Sequence, residues 1–208
     1  MKSSRYNLLV EGNNDKHVVM SLCSHYNVND NFAIVSCDGV NEVLKRLRLS
    51  LTNSSVYERI GIVVDADNNL VSRWNSIKEI LMSGNYDVSD VEPQCDGIVI
   101  DSINGKNKVG VWLMPNNKDI GMIEDFAIKM VDVNDVLMKK AETVLTELEV
   151  EGIQKYAPVH RSKAKIHSYL AWQKDPGRPI GQSITANVLD ADSPVAFSFS
   201  RWLKRLFG

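Results

Sequence analysis

Three acidic residues stand where a chain could assemble a metal centre. Glu11 closes the run RYNLLVEG and precedes a glycine, while Asp65 and Asp67 close ERIGIVVDAD with only Ala66 between them. Residues i and i+2 of an extended strand project to the same side, so the two aspartates can face one cation. Carboxylates are hard oxygen donors that hold Mg²⁺ or Mn²⁺ through a few direct contacts and leave positions for water and phosphate. The chemistry such a centre suits is phosphodiester cleavage, in which a metal stabilises charge on the attacking and leaving oxygens alike. Bare carboxylates would repel the same substrate. Glu11 also has the role of general acid or base open to it, where neighbouring acids raise its pKa.

For these groups to meet, the runs that carry them must be strands ending on one rim. Residues 5–12 read as a short apolar strand stopped by an acid and a glycine, followed by the helix-compatible NNDKHVVMSLCSHY. Residues 32–39 (FAIVSCDG) and 40–51 (VNEVLKRLRLSL) repeat the strand and helix, and residues 58–67 and 70–82 do so again. Strands alternating with helices at this spacing imply a parallel sheet covered on both faces, whose strand ends share a rim. The rhythm then changes. Residues 96–103 and 108–114 flank Asn104-Gly105, a strong hairpin signal, and predict an antiparallel pair. Helical patterns follow at 121–131, 133–149 and 161–173, and the last stretch, 194–207, has the amphipathic spacing of a terminal helix. The expected fold class is α/β: a three-layer sandwich on a mostly parallel sheet, with a hairpin and a helical C-terminal extension. There is no internal repeat and no low-complexity linker.

The pair VEGNND (10–15) and VVDAD (63–67) resembles the Toprim domain shared by topoisomerases, bacterial primases, small RNA-maturation nucleases and the overcoming-lysogenization-defect (OLD) nucleases. Both motifs stand in that family's order and at a compatible separation, and the likeness is nearest to small bacterial Toprim-like proteins. The resemblance implies a Toprim-like Rossmannoid domain over residues 1–130, with residues 131–208 as a basic helical extension packed on it. It implies Glu11, Asp65 and Asp67 as metal and catalytic groups, with Mg²⁺ or Mn²⁺ as cofactor. GMIEDFAIKMV (121–131) is similar to the acidic helix of OLD-type enzymes and nominates Glu124 and Asp125 as further metal contacts. HRSKAKIHSYLAWQ (160–173) is similar to their lysine-bearing segment and nominates Lys163 or Lys165 to balance transition-state charge. The plain alternatives are that an acidic pair in a helix's first turn answers the helix dipole, as Asp15 would, and that the lysines form a solvated face.

Charge supports a polymeric substrate. The 208 residues carry a net charge of −2, but Lys155 to Gly208 hold nine Lys or Arg against three Asp, so the acidic part precedes a basic one. Neutralising several phosphates is what makes many basic residues useful, so the expected partner is nucleic acid, DNA or RNA. Ordinary surface variation gives such asymmetry as well. The apolar fraction of 44% is that of a globular chain, no run is long enough to span a bilayer, and Met1 to Asn7 carries no long apolar signal, so a cytoplasmic protein is expected. Cys23, Cys37 and Cys95 show no CxxC pair and read as buried thiols. His17, His25, His160 and His167 lack metal-ligand spacing, although His160 and His167 lie in the basic segment and suit phosphate contacts. Trp112, Trp172 and Trp202 read as core or packing residues, an exposed one being able to stack on a base. There is no GxxxxGK[ST] loop, and the chain has no room for a topoisomerase gate or a primase zinc module.

What remains is a small metal-dependent nuclease. Its resemblance to OLD enzymes implies a role in anti-phage defence with an ATPase or other protein partner, a homo-oligomer being equally compatible. Two other readings stay open: a non-catalytic Toprim-fold module that binds nucleic acid or a partner, and a phosphohydrolase of small molecules.

Overall fold

The apolar runs form five strands of one sheet in a computed structural model that describes residues 5–29, 31–52, 57–105 and 107–208. The first four residues, which bear on the expected lack of a signal, lie outside the described residues. The strands are β1 (Tyr6–Val10), β2 (Ala33–Ser36), β3 (Arg59–Asp65), β4 (Ile98–Asp101) and β5 (Lys108–Met114), in the order β2-β1-β3-β5-β4. β2, β1, β3 and β5 run parallel, and β4 pairs antiparallel with β5 across the Asn104-Gly105 turn, as the sequence predicts. The helices are α1 (Asn13–Tyr26), α2 (Val40–Thr52), α3 (Leu70–Ser83), α4 (Ile123–Ile128), α5 (Val136–Val150), α6 (Arg161–Ala171), α7 (Ile180–Thr185) and α8 (Pro194–Phe207). No helix among the described residues is long and apolar enough to cross a membrane.

Strand alternation divides the interior into two layers. Ile60, Ile62 and Val64 of β3 face one side with Leu47 of α2 and with Trp74 and Ile77 of α3. Leu8 and Val10 of β1 and Val63 of β3 face the other side, where α1, α4, α6, α7 and α8 cover the sheet. The central strands are buried on both faces, which is why their sequences are nearly continuous in Ile, Val and Leu.

The helices after residue 130 share this second layer rather than forming a core of their own. Phe199, Trp202, Leu203, Leu206 and Phe207 of α8 are buried in it, each contributing about 1.5–3 kcal/mol through the area it removes from water. The Trp202 indole also donates to the Ile98 carbonyl at 2.9 Å. Room for α8 comes from two glycines opposite each other in register, Gly61 of β3 and Gly110 of β5. A Cβ on Gly61 would lie 2.9 Å from Leu206 Cδ2, and one on Gly110 would lie closer still. The sheet is therefore bare where the helix crosses it.

Two elements differ from expectation. The acidic helix begins at Ile123 rather than Gly121, because Gly121 exchanges a pair of backbone hydrogen bonds with Asp67 and is held outside the helix. The short helix α7 had no clear apolar periodicity to announce it. It forms by packing against α1, where the Ser21 hydroxyl donates to the Gly181 carbonyl at 2.8 Å.

Candidate metal centre at the switch point of the sheet

The chain leaves β1 toward β2 through α1 on one face and returns to β3 through α2 on the other. The direction reverses between the carboxyl ends of β1 and β3, the place where open α/β sheets bind ligands. Glu11 is the residue after β1 and Asp65 is the last residue of β3. The Asp65 amide donates to Glu11 Oε1 at 2.7 Å, which fixes the glutamate over the strand end. Two further acids arrive from helix starts. Asp15, in the first turn of α1, accepts the Gly12 amide on Oδ2 at 3.1 Å. From the opposite side the Ile123 amide donates to Asp65 Oδ1 at 3.0 Å, which brings the next residue, Glu124, to the same place.

Two of these acids are buried and two, Glu11 and Asp65, half-buried. Asp15 and Glu124 are each only 5% exposed. Burial, with the neighbouring carboxylates of Asp15, Glu11, Glu124 and Asp67 adding to it, pushes the Asp65 carboxyl up to about 9. Asp15 rises to about 7, mostly from burial, with Glu11 and Glu124 adding to it. Glu11 is also raised by burial, against the opposing pull of the Asp65 amide and the Arg73 guanidinium. Asp15 Oδ1 is enclosed and has no hydrogen-bond partner. A buried carboxylate oxygen without a donor is costly, and protons or a cation relieve it. The donor set, carboxylate oxygens only, fits a hard divalent ion.

The predicted residues divide on this geometry. Glu11, Asp65 and Glu124 come together. Asp67 does not follow the i, i+2 expectation, because β3 ends at Asp65 and Asp67 takes a left-handed backbone, φ 51°. Its carboxylate turns to Arg73 of α3, whose Nη2 donates to Asp67 Oδ2 at 2.6 Å while Nε donates to the Asp65 carbonyl at 2.9 Å. Among the described residues, no three His, Cys, Asp or Glu side chains lie as placed within the reach of a single ion. Asp125 has both oxygens engaged: Oδ2 accepts the Met122 amide at the start of α4 at 2.8 Å, and Oδ1 accepts the Ser162 hydroxyl of α6 at 2.5 Å.

The two lysines separate as well. Lys163 Nζ lies 3.9 Å from Glu124 Oε1 with its side chain 54% exposed, beside Glu124 and open to solvent. Lys165 pairs with Glu142 of α5 at 2.7 Å, and Arg161 binds the same glutamate at 2.7 Å. The two cations hold the Glu142 carboxyl down at about 2, so Lys165 fastens α6 to α5.

Asp15 is the member whose sequence context shows only a helix-end acid. The available signal was an acid four residues after Glu11, where one turn of helix leads back over the strand end. His17, His160 and His167 are exposed, and His25 pairs with Asp192 at 2.9 Å. Trp112 and Trp202 are core residues while Trp172 is 40% exposed. Cys37 is buried and Cys23 partly so, but Cys95 is exposed on the loop before β4, contrary to the expectation of three buried thiols.

A family model described as "Protein of unknown function (DUF3226)" matches residues 5–208, and the chain belongs to that family. No curated protein and no solved structure matches it.

Proposed function

We propose that this chain is a nuclease dependent on Mg²⁺ or Mn²⁺, hydrolysing phosphodiesters of DNA or RNA at the carboxyl ends of β1 and β3. The observation that carries the reading is that Asp15, Glu11 and Glu124 neighbour the Asp65 carboxyl closely enough to raise it, with a buried Asp15 oxygen left without a donor. Packing does not require such a cluster, and a divalent cation compensates it. The likeness of VEGNND and VVDAD to the Toprim motifs belongs to the same reading.

Glu11, Asp15, Asp65 and Glu124 would hold the ions, with Asp67 joining them once free of Arg73. The metal, when bound, supplies stabilisation of charge at the attacking and leaving oxygens. The chain's own residues do the rest. The Asp65 amide keeps Glu11 oriented, and Lys163 stands beside Glu124 to meet phosphate charge on the open side. The exposed His160 and His167 on the same basic segment are available to backbone phosphates further along a strand.

The test is cleavage of labelled DNA and RNA with Mg²⁺ or Mn²⁺, comparing wild type with Glu11→Gln and Asp65→Asn. Loss of cleavage in both variants supports the reading, and equal activity in all three proteins rejects it. Metal-dependent binding of nucleic acid with no cleavage by any of them would favour the binding module instead. Cleavage of mononucleotides alone would favour a small-molecule phosphohydrolase.

A further inference from the structure

Arg73 is a cation set beside these acids and itself largely buried, its side chain 16% exposed. It comes from the second turn of α3, the helix that follows the aspartate motif. Its guanidinium donates to two parts of that motif, Nε to the Asp65 carbonyl and Nη2 to the Asp67 carboxylate. The Asp67 backbone is pinned as well, since its N–H donates to the Gly121 carbonyl at 3.0 Å and its carbonyl accepts the Gly121 N–H at 2.8 Å. Only the side chain of Asp67 is therefore free to choose a partner.

From this arrangement we propose that Arg73 is a latch on the metal centre, holding the Asp67 carboxylate in an ion pair until a divalent cation competes for it. The inference rests on the metal-centre reading and adds a positioning residue to it. Arg73 offsets part of the charge of the acids while no cation is bound. Cation binding then exchanges one ion pair for another, with Asp67 turning about its side-chain bonds on a fixed backbone. A planar guanidinium suits the task because its fork spans a carbonyl and a carboxylate at once, which a lysine ammonium cannot reproduce.

The latch has an unusual signature: removing a cation-site neighbour tightens the site. In calorimetric titration of metal-stripped protein with Mn²⁺ alone, Arg73→Gln is expected to bind about three- to tenfold more tightly than wild type, the range of a partly exposed ion pair. Arg73→Lys should tighten binding too, because it keeps the charge and loses the fork. In an Asp67→Asn background, Arg73→Gln should change affinity less than twofold. Unchanged or weaker binding by Arg73→Gln overturns the latch, as does an Arg73→Lys variant that matches wild type. Equal tightening in the Asp67→Asn background also overturns it, since the effect would then be charge acting through space. Thermal unfolding of each variant without metal shows that it is folded. Mn²⁺ binding that is lost in Glu11→Gln and Asp65→Asn but indifferent to Arg73 rejects the latch alone. No binding by wild type rejects the metal centre and the latch with it.

Discussion

The Asp65 amide donates to Glu11 Oε1 at 2.7 Å, so the last residue of β3 holds the acid that follows β1 by its backbone while its own carboxyl accepts the Ile123 amide. Glu11 thus has two roles that substitution can separate. Glutamine keeps an oxygen for the Asp65 amide but removes the charge. Alanine removes both and leaves a half-buried amide without its acceptor. Glu11→Gln should unfold close to wild type and lose at least tenfold in Mn²⁺ affinity. Glu11→Ala should lose the same affinity and also about 1–2 kcal/mol of stability, the cost of an unsatisfied buried donor. Chemical denaturation and metal titration of the two variants check this, and equal stability in both would remove the structural role.

A second prediction concerns pH in the absence of divalent cations. Asp65 is raised to about 9 and Asp15 to about 7, both far above the ordinary aspartate value of 3.8. The folded protein therefore holds protons that the unfolded chain has already released. Stability from these groups is complete below about pH 4 and is lost as pH rises through 7 for Asp15 and 9 for Asp65. Metal-stripped protein should melt at progressively lower temperature from pH 6 to pH 9, with a slope of up to about 1.4 kcal/mol per unit for each group that is still titrating. Asp65→Asn should flatten that slope, and saturating Mn²⁺ should flatten it in wild type. A melting temperature that is constant or rises over this range contradicts the buried-acid picture.

The sheet was legible because buried parallel strands write themselves as unbroken apolar runs, as Arg59 to Asp65 does, and the hairpin because Asn104-Gly105 names its turn. Glu11 and Asp65 were legible because each closes such a run. Asp67 was not, since its left-handed backbone comes from the pairing with Gly121, 54 residues away, which no local pattern encodes. Asp15 looked like a helix-end acid, and in its bond to the Gly12 amide it is one. Its burial depends on what covers α1 from later in the chain. Lys163 and Lys165 lie two apart on one helix, and only the position of Glu142 on α5 shows which of them is committed elsewhere.

The glycine pair under α8 makes a prediction about packing. An added Cβ on Gly110 would collide with Leu206 and lie 3.1 Å from Trp202 Cζ2. Gly110→Ala should cost about 1–3 kcal/mol, the usual penalty of overpacking a full core. Adding Leu206→Ala should cost clearly less in that variant than in wild type, because truncating Leu206 vacates the space the new methyl group needs. Denaturant unfolding of the two single variants and the double variant measures this coupling, and simple additivity would mean that α8 does not rest on Gly110.

The last prediction separates the two lysines. Lys163 stands 3.9 Å from Glu124 with half its side chain in solvent, whereas Lys165 is mostly covered and bound to Glu142 at 2.7 Å. For the nuclease proposed above, Lys163→Ala should lower cleavage about tenfold, the loss of the proposed phosphate contact, and leave the melting temperature unchanged, because a solvated side chain contributes little to folding. Lys165→Ala should leave cleavage close to wild type and lower the melting temperature by about 1–3 °C, since one partly exposed pair is worth at most about 1 kcal/mol in a chain of this size. Arg161 stays on Glu142 in that variant, which limits the loss. Parallel measurements of initial rate and thermal unfolding decide the matter. The opposite pattern, with Lys165 needed for cleavage and Lys163 indifferent, would move the substrate to the α5 side of α6 and away from Glu124.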